Sequence, residues 1–308
     1  MCTASLLLMC GLLLGPQQSQ GEAAIRIGIW YGGPGALPPA AAAADLETVR
    51  ADLAMIRRAG FNAITTWIAW RDAEPTRGAY AMASLERLIA AAAQNELSVD
   101  VRLFVDAPPA WSTSGTPEDR ARFIEYARSR LRLGAAVTSV QEVEASGELA
   151  KTIRVGRNAR TPIEARMDFW AAIARGARRI TLLDTAGGVG PSVLSLGETI
   201  GIVTRNQALF VPLRPREGGV RNVAGGSGAP VEVKLLESAD AVVIVGINYS
   251  PSVQKVTINF APEIPEAIWQ NLETTTSVNF VMGPKGPFLE HTFSPRDTLV
   301  LMIRKRLR

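Results

Sequence analysis

Cysteine and histidine are almost absent from this 308-residue chain. The two cysteines, Cys2 and Cys10, lie in an apolar N-terminal segment, so a chain cleaved after that segment has no thiol and no disulfide. The one histidine, His291, stands alone in a strand-like region, which indicates a structural histidine rather than part of a catalytic triad or zinc cluster. Carboxylates therefore remain to carry chemistry, and the sequence implies neither a metal nor an organic cofactor.

Lysine is also scarce, so the formal charge of +4 comes mostly from arginine. The arginines are scattered along the chain rather than gathered in one stripe. Binding to nucleic acid or to a charged membrane surface needs a concentrated basic patch. The charge pattern therefore indicates a basic soluble protein and argues against nucleic acid as a partner.

The N-terminal segment MCTASLLLMCGLLLG carries no charged residue. Its apolar core of about ten residues is too short to span a bilayer but suits the hydrophobic region of a signal peptide. Ser19 and Gly21 are small residues that favour cleavage before Glu22. We therefore predict a signal peptide over residues 1–21, a secreted or periplasmic protein and no integral membrane span. The usual basic residue is missing from its start, so a wrongly assigned start codon is the alternative.

Over residues 22–215, short apolar runs alternate with amphipathic stretches. The runs that pass through Ile27, Ala63 and Val99 repeat at intervals of about 36 residues. Strands that alternate with helices at this spacing predict βα units and a parallel sheet. The expected strands are residues 25–31, 61–70, 97–107, 135–145 and 178–186, and the expected helices are residues 45–60, 85–96, 117–134, 162–177 and 203–214.

The pattern changes after residue 215. Residues 216–230, REGGVRNVAGGSGAP, are rich in glycine and predict a linker. Residues 231–308 contain β-type runs separated by turn residues, with no helical period between them. This composition predicts a small antiparallel β-sandwich domain.

Two motifs at the ends of the second and third expected strands resemble a known family. They are WIAWRDAEPTRGAY (67–80) and PPAW (108–111), and both follow apolar strand-like runs. Together they are similar to the start of the retaining (β/α)8 glycoside hydrolases, most closely the family 42 and family 35 β-galactosidases. The sequence VEVKLLESADAVVIVGINYS, from residue 231 onward, is similar to the sandwich domains that follow such barrels.

The resemblance implies a sugar-binding site at the carboxyl end of a TIM barrel. Aromatic side chains at the ends of barrel strands serve as platforms on which sugar rings stack. On this basis Trp30, Trp70 and Trp111 are the expected sugar-binding aromatics, with Glu74 beside them as a substrate-binding residue. The alternative is that the three tryptophans are ordinary core aromatics.

Retaining hydrolysis needs two carboxylates about 5–5.5 Å apart, one as nucleophile and one as acid/base. The resemblance implies an acid/base after the fourth barrel strand, usually in an Asn-Glu pair, and a nucleophile after the seventh. VQEVEASG (140–147) resembles the seventh-strand segment, which makes Glu142 the candidate nucleophile and Glu144 its neighbour. The alternative is an amphipathic helix in which Glu142, Glu144 and Glu148 are merely solvated.

The acid/base is missing from this interpretation, and so are the middle barrel units, four to six, because the third expected helix leads directly into the apparent seventh strand. Eight units of about 36 residues need about 290 residues, whereas a typical barrel has about 250. Residues 25–215 hold about 190, enough for five units. The sequence therefore predicts an α/β fold: an incomplete TIM-type (β/α)8 barrel followed by a small all-β sandwich.

The expected function follows from this incomplete site. The resemblance implies a glycoside hydrolase-like protein of the retaining β-galactosidase type, impaired because no acid/base is found, with a carbohydrate as partner. The alternative is a non-catalytic carbohydrate-binding or scaffold protein. A third interpretation is a homo-oligomer in which a second copy pairs with the open sheet edges.

Overall fold

The computed structural model describes residues 24–305, except 33–45, 107, 113–115, 133, 135, 144–151, 157, 186–188, 227–230 and 265–266. The predicted signal peptide, residues 1–21, lies outside the described residues. Within them, no helix has the length and apolar character needed to cross a membrane.

The N-terminal part alternates strands and helices. Its strands are β1 (Arg26–Trp30), β2 (Ala63–Ala69), β3 (Ser98–Phe104), β4 (Val137–Val143), β5 (Ile153–Val155) and β6 (Arg179–Asp184). Its helices are α1 (Leu46–Arg58), α2 (Trp70–Ala73), α3 (Ala83–Gln94), α4 (Pro117–Leu131), α5 (Pro162–Ala174), α6 (Pro191–Leu194), α7 (Gly197–Arg205) and α8 (Gln207–Phe210).

All six strands form one parallel sheet in the order β4-β3-β2-β1-β6-β5. The sheet is strongly curved. On a flat sheet β4 and β6 would lie four strand spacings apart, about 19 Å. Nonetheless Arg179 on β6 reaches Ser139 on β4, with 3.4 Å between Nη1 and Oγ. The sheet therefore curls as a barrel wall does, with β4 and β5 as its two edges.

Glycine at one strand position leaves room for a close contact across β1. Gly28 on β1 lies between β2 and β6, and a Cβ at this position would lie 3.2 Å from the Ala63 side chain. Because Gly28 has no side chain, the hydroxyls of Thr65 and Thr181 approach to 3.3 Å across it.

The two faces of this sheet pack differently. Its outer face is aliphatic and packs with the helices in one large core, as Ile27, Ile64 and Val99 show. Its inner face holds a separate aromatic cluster that includes Trp30 and Phe104. Helices on one face with a second buried face inside is the layering of a TIM barrel.

Two of the helices begin at signals that are visible in the sequence. The Thr116 side chain accepts a hydrogen bond from the Asp119 amide at the start of α4. Thr161 and Glu164 form a reciprocal capping box at the start of α5. Each helix has proline directly after its cap, where the missing amide hydrogen costs nothing.

The C-terminal part is antiparallel. Its strands are β7 (Arg214–Pro215), β8 (Val220–Gly225), β9 (Val231–Glu237), β10 (Ala241–Asn248), β11 (Gln254–Phe260), β12 (Ile268–Asn271), β13 (Ser277–Asn279), β14 (Val281–Gly283), β15 (Gly286–Phe293) and β16 (Asp297–Arg304). They form a six-stranded sheet, β13-β12-β16-β10-β9-β7, and a four-stranded sheet, β14-β15-β11-β8. One core lies between the two sheets.

The six-stranded sheet is buried on both faces. One face packs on the four-stranded sheet, and the other packs on α5 through Val243, Val245 and Val300. This explains why β10, AVVIVGIN, is apolar at nearly every position and is buried throughout. Hydrogen bonds that join the parts include those from Trp170 Nε1 to Glu273 at 2.9 Å, from Arg296 to Glu164 at 2.7 Å and from Arg166 to Asp297 at 3.3 Å.

The predicted fold class is confirmed, because a parallel α/β sheet precedes an antiparallel β part. Three details differ from the expectation. The sheet has six strands rather than five, since β5 was not predicted. Residues 220–225 of the expected linker form strand β8, whose pairing with β11 outweighs the glycine content. The expected helix 203–214 is divided between α7 and α8, because Asn206 lies outside helical geometry with φ −115° and ψ 38°.

Candidate functional site

The upper inner face of the curved sheet is an aromatic layer. Trp30 and Phe104 stack with ring centroids 6.4 Å apart, and Trp67 lies 5.0 Å from Phe104. Trp30 is 1% exposed, and its indole nitrogen has no hydrogen-bond partner in the described part of the chain. Trp30 therefore contributes to an internal layer and presents no open face to a sugar in this structure.

An ionic cluster lies below the aromatic layer. Asp100 on β3 is buried, and Arg26 Nη1 and Arg179 Nε approach its oxygens to 3.2 and 3.4 Å. The hydroxyls of Thr138 and Ser139 donate to the same carboxylate, at 2.9 and 2.5 Å. Arg26, Thr138 and Ser139 contact Oδ1 and Arg179 contacts Oδ2, so both oxygens of Asp100 are engaged.

Two more arginines extend from strand positions on this face. Arg102 pairs with Trp67 in the β2–β3 register and is 5% exposed. Arg154, on the edge strand β5, pairs with Leu183 of β6 and is exposed. The described strands of the inner face thus carry four arginines and a single carboxylate, Asp100.

The other predicted sugar-binding residues lie together above the ends of β2 and β3. Glu74 is fully buried, and its carboxylate accepts hydrogen bonds from Trp70 Nε1 at 2.9 Å and from the Gly78 amide at 2.7 Å. The Glu74 carbonyl accepts a bond from Trp111 Nε1 at 2.8 Å. We name this group of Trp70, Glu74, Gly78 and Trp111 the tryptophan clasp. It joins the loop after β2 to the loop after β3.

Aromatic packing completes the clasp. Trp70 is 1% exposed, stacks on Phe123 of α4 at 5.8 Å and meets Trp111 edge to face at 6.2 Å. Trp111 is partly buried, and the Arg77 guanidinium lies over its ring at 5.8 Å. Trp111 is thus the one predicted sugar-binding tryptophan that is not fully buried, and a cation occupies one of its faces.

An ionic group at the surface supports the clasp. Asp119 Oδ1 forms ion pairs with Arg77 Nη2 at 2.8 Å and with Arg122 Nη2 at 2.9 Å. Desolvation raises the pKa of Asp119, but hydrogen bonds from Arg77, Thr116 and Arg122 outweigh it and lower that pKa. Asp119 therefore stays ionised and holds Arg77 near Trp111 and Arg122 near Glu74, where Arg122 Nη2 lies 3.7 Å from Glu74 Oε1.

Glu142 lies on the other face of the sheet. On β4, Val143 packs against the inner aromatic cluster and Val140 packs against the outer core, so Glu142, two residues from Val140, points outward. Its carboxylate pairs with Arg128 at 3.3 Å and with Arg120 at 3.6 Å, both on α4. The structure does not bring Glu142 close to the tryptophans. This geometry argues against the predicted nucleophile role. The role itself stays a prediction until labelling of Glu142 with a fluoro-sugar is tried.

The strand that carries Glu142 is also the fourth, not the seventh. β4 pairs directly with β3, continuing the series β1, β2, β3 along the sheet. The seventh-strand register expected for VQEVEASG is therefore wrong, and β5 takes the place beside β6 instead. Glu144 follows β4 directly in the sequence and lies outside the described residues.

The structure brings the predicted residues Trp70, Glu74 and Trp111 together and shows that they bind one another, and their sugar-binding role stays a prediction. Sequence reasoning missed the inner-face residues Asp100 and Arg102. The signal for these two was the alternation in SVDVRLF, where charges interrupt an apolar strand. A barrel strand has one face toward its helices and one toward its interior, so such charges belong inside.

Comparison with known proteins agrees with this architecture. Residues 41–144 match the model of glycoside hydrolase family 42, described as β-galactosidase. The chain matches no curated protein sequence at a significant level.

Several solved structures of glycoside hydrolases share the fold. An α-amylase from Geobacillus thermoleovorans in complex with acarbose aligns with TM-score 0.60 and 10% identity, over 92% of this chain and 98% of the amylase. A maltogenic α-amylase from Thermotoga neapolitana gives 0.57 and 9%, over 91% and 99%. A family 39 glycoside hydrolase from Bacteroides cellulosilyticus gives 0.55 and 9%, over 92% and 81%. At this identity the likeness establishes the fold alone.

Proposed function

We propose that this chain is a glycosidase-like protein that binds carbohydrate and hydrolyses it weakly or not at all, because residues 41–144 match the model of the family 42 β-galactosidases. The barrel-type fold and the motifs at residues 67–80 and 108–111 support a carbohydrate ligand. The chemistry of the inner face supports the loss of hydrolysis.

The observation that carries the proposal is the carboxylate content of the inner face. A retaining mechanism needs two carboxylates about 5–5.5 Å apart, one free to attack and one free to exchange a proton. At the described strand positions of the inner face there is one carboxylate, Asp100, and Arg26, Arg179 and two hydroxyls already bind it. Asp100 therefore stabilises the interior rather than serving as nucleophile.

Turnover and binding, measured side by side, test this proposal. We expect the purified chain to hydrolyse an aryl β-galactoside at a rate close to that of buffer. We expect galactose or lactose to bind measurably by calorimetry, with the same affinity in Glu142→Gln as in wild type. Robust turnover that Glu142→Gln abolishes, or labelling of Glu142 by a fluoro-sugar, would contradict the proposal.

A second candidate function is an active retaining hydrolase whose acid/base is Glu144 and whose nucleophile lies outside the described strand positions of the inner face. The observation that favours it is the position of β4, because the resemblance implies an acid/base directly after the fourth strand and Glu144 is that residue in the sequence. This hypothesis expects Glu144→Gln to remove turnover while Glu142→Gln preserves it. External azide is expected to restore part of the Glu144→Gln rate on an activated substrate.

Export and self-association stay proposals. We propose that residues 1–21 direct the chain out of the cytoplasm, which N-terminal sequencing of the exported protein tests. Mature protein that begins at Met1 would contradict it. We propose that a second copy pairs with the β4 edge and leaves the β5 edge open, which sedimentation tests. A stable monomer at high concentration would contradict it.

A further inference from the structure

A polar cleft runs along the edge strand β5, on the side where the parallel sheet is open. Its volume is about 810 Å³, which is within the range of small-molecule pockets. The walls come from β5, the loop that follows it and α5. The lining residues used below are Thr152, Arg154, Asn158, Arg160, Glu164, Asp168 and Arg175.

The carboxylates in this cleft are already paired. Asp168 receives Arg160 Nε at 3.0 Å. Glu164 accepts bonds from Thr161 in the capping box and from Arg296 at 2.7 Å. Hydrogen bonds from the Thr161 amide and hydroxyl lower the pKa of Glu164, so it stays ionised and held. Both carboxylates are therefore already neutralised by arginines, which argues against a cation as the ligand of this cleft.

The arginines leave one positive charge over. Arg160 is paired with Asp168, and Arg175 lies 3.6 Å from Glu232. The Arg154 side chain is exposed and has no ionic or hydrogen-bonding partner among the described residues. The described lining of the cleft holds three arginines and two carboxylates, and both carboxylates are already paired. The local charge therefore favours an anion at Arg154.

We propose that the β5 cleft binds a sugar that carries a carboxylate or sulfate group, with Arg154 as the anchor of that group. A guanidinium presents two parallel N–H donors that match a carboxylate or sulfate in a bidentate pair. Thr152 and Asn158 supply hydroxyl and amide groups suited to sugar hydroxyls, and Ile153, Ala159 and Ala172 form the apolar part of the lining. The sugar part of this inference rests on the proposed function; the anion part rests on the cleft.

Calorimetry with four probes tests the inference at constant ionic strength: galacturonate, galactose, sulfate and chloride. We expect galacturonate to bind about tenfold or more tightly than galactose, since it adds charge-assisted hydrogen bonds. We expect sulfate to compete with it and added salt to weaken it. Arg154→Gln is expected to weaken galacturonate binding about tenfold and to leave galactose binding unaffected. The affinity of Arg154→Lys for galacturonate is expected to lie between those of wild type and Arg154→Gln.

Arg50→Gln is the matched control, because Arg50 is exposed on α1, away from β5. Arg154 is itself exposed, so its loss is not expected to unfold the protein. A second variant, Asn158→Ala, is expected to weaken both sugars and leave sulfate unaffected.

The outcomes separate the two proposals. Equal binding of galactose and galacturonate, or full binding by Arg154→Gln, would overturn the acidic-sugar site and leave the proposed function standing. Binding of sulfate that Arg154→Gln removes, with no binding of any sugar, would overturn the proposed function and leave the anion site.

Discussion

Replacing Glu74 distinguishes two roles for this residue: a structural role in the tryptophan clasp and a role in binding sugar. In Glu74→Ala the Trp70 indole N–H stays buried without an acceptor, which costs about 1–3 kcal/mol. The Gly78 amide also loses its acceptor, but Gly78 is exposed and water replaces part of that bond, at about 0.5–1.5 kcal/mol. We therefore expect Glu74→Ala to lower the free energy of unfolding by about 1.5–4.5 kcal/mol.

Glu74→Gln is the finer perturbation. The carboxamide keeps one oxygen and turns an NH2 group toward the second donor, so one of the two bonds is lost. We expect a loss of about 1–2 kcal/mol, roughly half that of the alanine variant. Glu125→Gln, on the exposed face of α4, is the control and is expected to stay within about 0.5 kcal/mol of wild type.

Urea denaturation followed by circular dichroism measures these values without relying on tryptophan fluorescence, which the substitution itself alters. The midpoint is expected to fall in the order Glu125→Gln, Glu74→Gln, Glu74→Ala, with the slope unchanged. If Glu74→Ala matched wild type in stability and lost sugar binding instead, the clasp interpretation would be refuted and Glu74 would be a ligand residue.

Three further substitutions have expected results. Glu142→Gln removes only exposed ion pairs, so we expect less than about 1 kcal/mol of destabilisation by urea titration. A loss of about 3 kcal/mol or more would contradict the exposed position of these pairs. Gly190→Ala places a Cβ 2.1 Å from Asp184 Oδ2, so we expect about 1–3 kcal/mol of destabilisation by urea titration, and a neutral result would contradict this packing. Burial lowers the pKa of His291 although Asp297 acts to raise it, so the unfolded chain takes up its proton first as the pH falls. Stability should therefore decline as the pH falls below about 6.5, and His291→Gln should reduce that decline; an identical pH profile in the variant would exclude His291 as the cause.

The layering of the fold was predictable because it depends on local periodicity. Residues 45–60 repeat apolar positions at helical spacing, and α1 occupies Leu46–Arg58. The strand expected at 135–145 is present as β4 (Val137–Val143). The failures came from short or mixed segments: β5 has three residues, and no period can be recognised in so short a run.

The site was less predictable, because its residues meet through the tertiary fold. The spacing of Trp70 and Glu74 showed that they were close neighbours, but not that the carboxylate would receive the indole N–H in a buried position. The register of β4 could not be assigned by resemblance alone. Only its pairing with β3 showed that it is the fourth strand and that Glu142 lies toward α4.

The sequence by itself determined the helices, most strands, the change to antiparallel β structure and the sugar-hydrolase resemblance, since each rests on residues adjacent along the chain. The tertiary structure alone decided which side of each strand faces the interior and which charges neutralise one another. The physical reason is that burial and ion pairing depend on neighbours from distant segments: Asp100 is bound by Arg26 and Arg179, which precede and follow it by more than 70 residues.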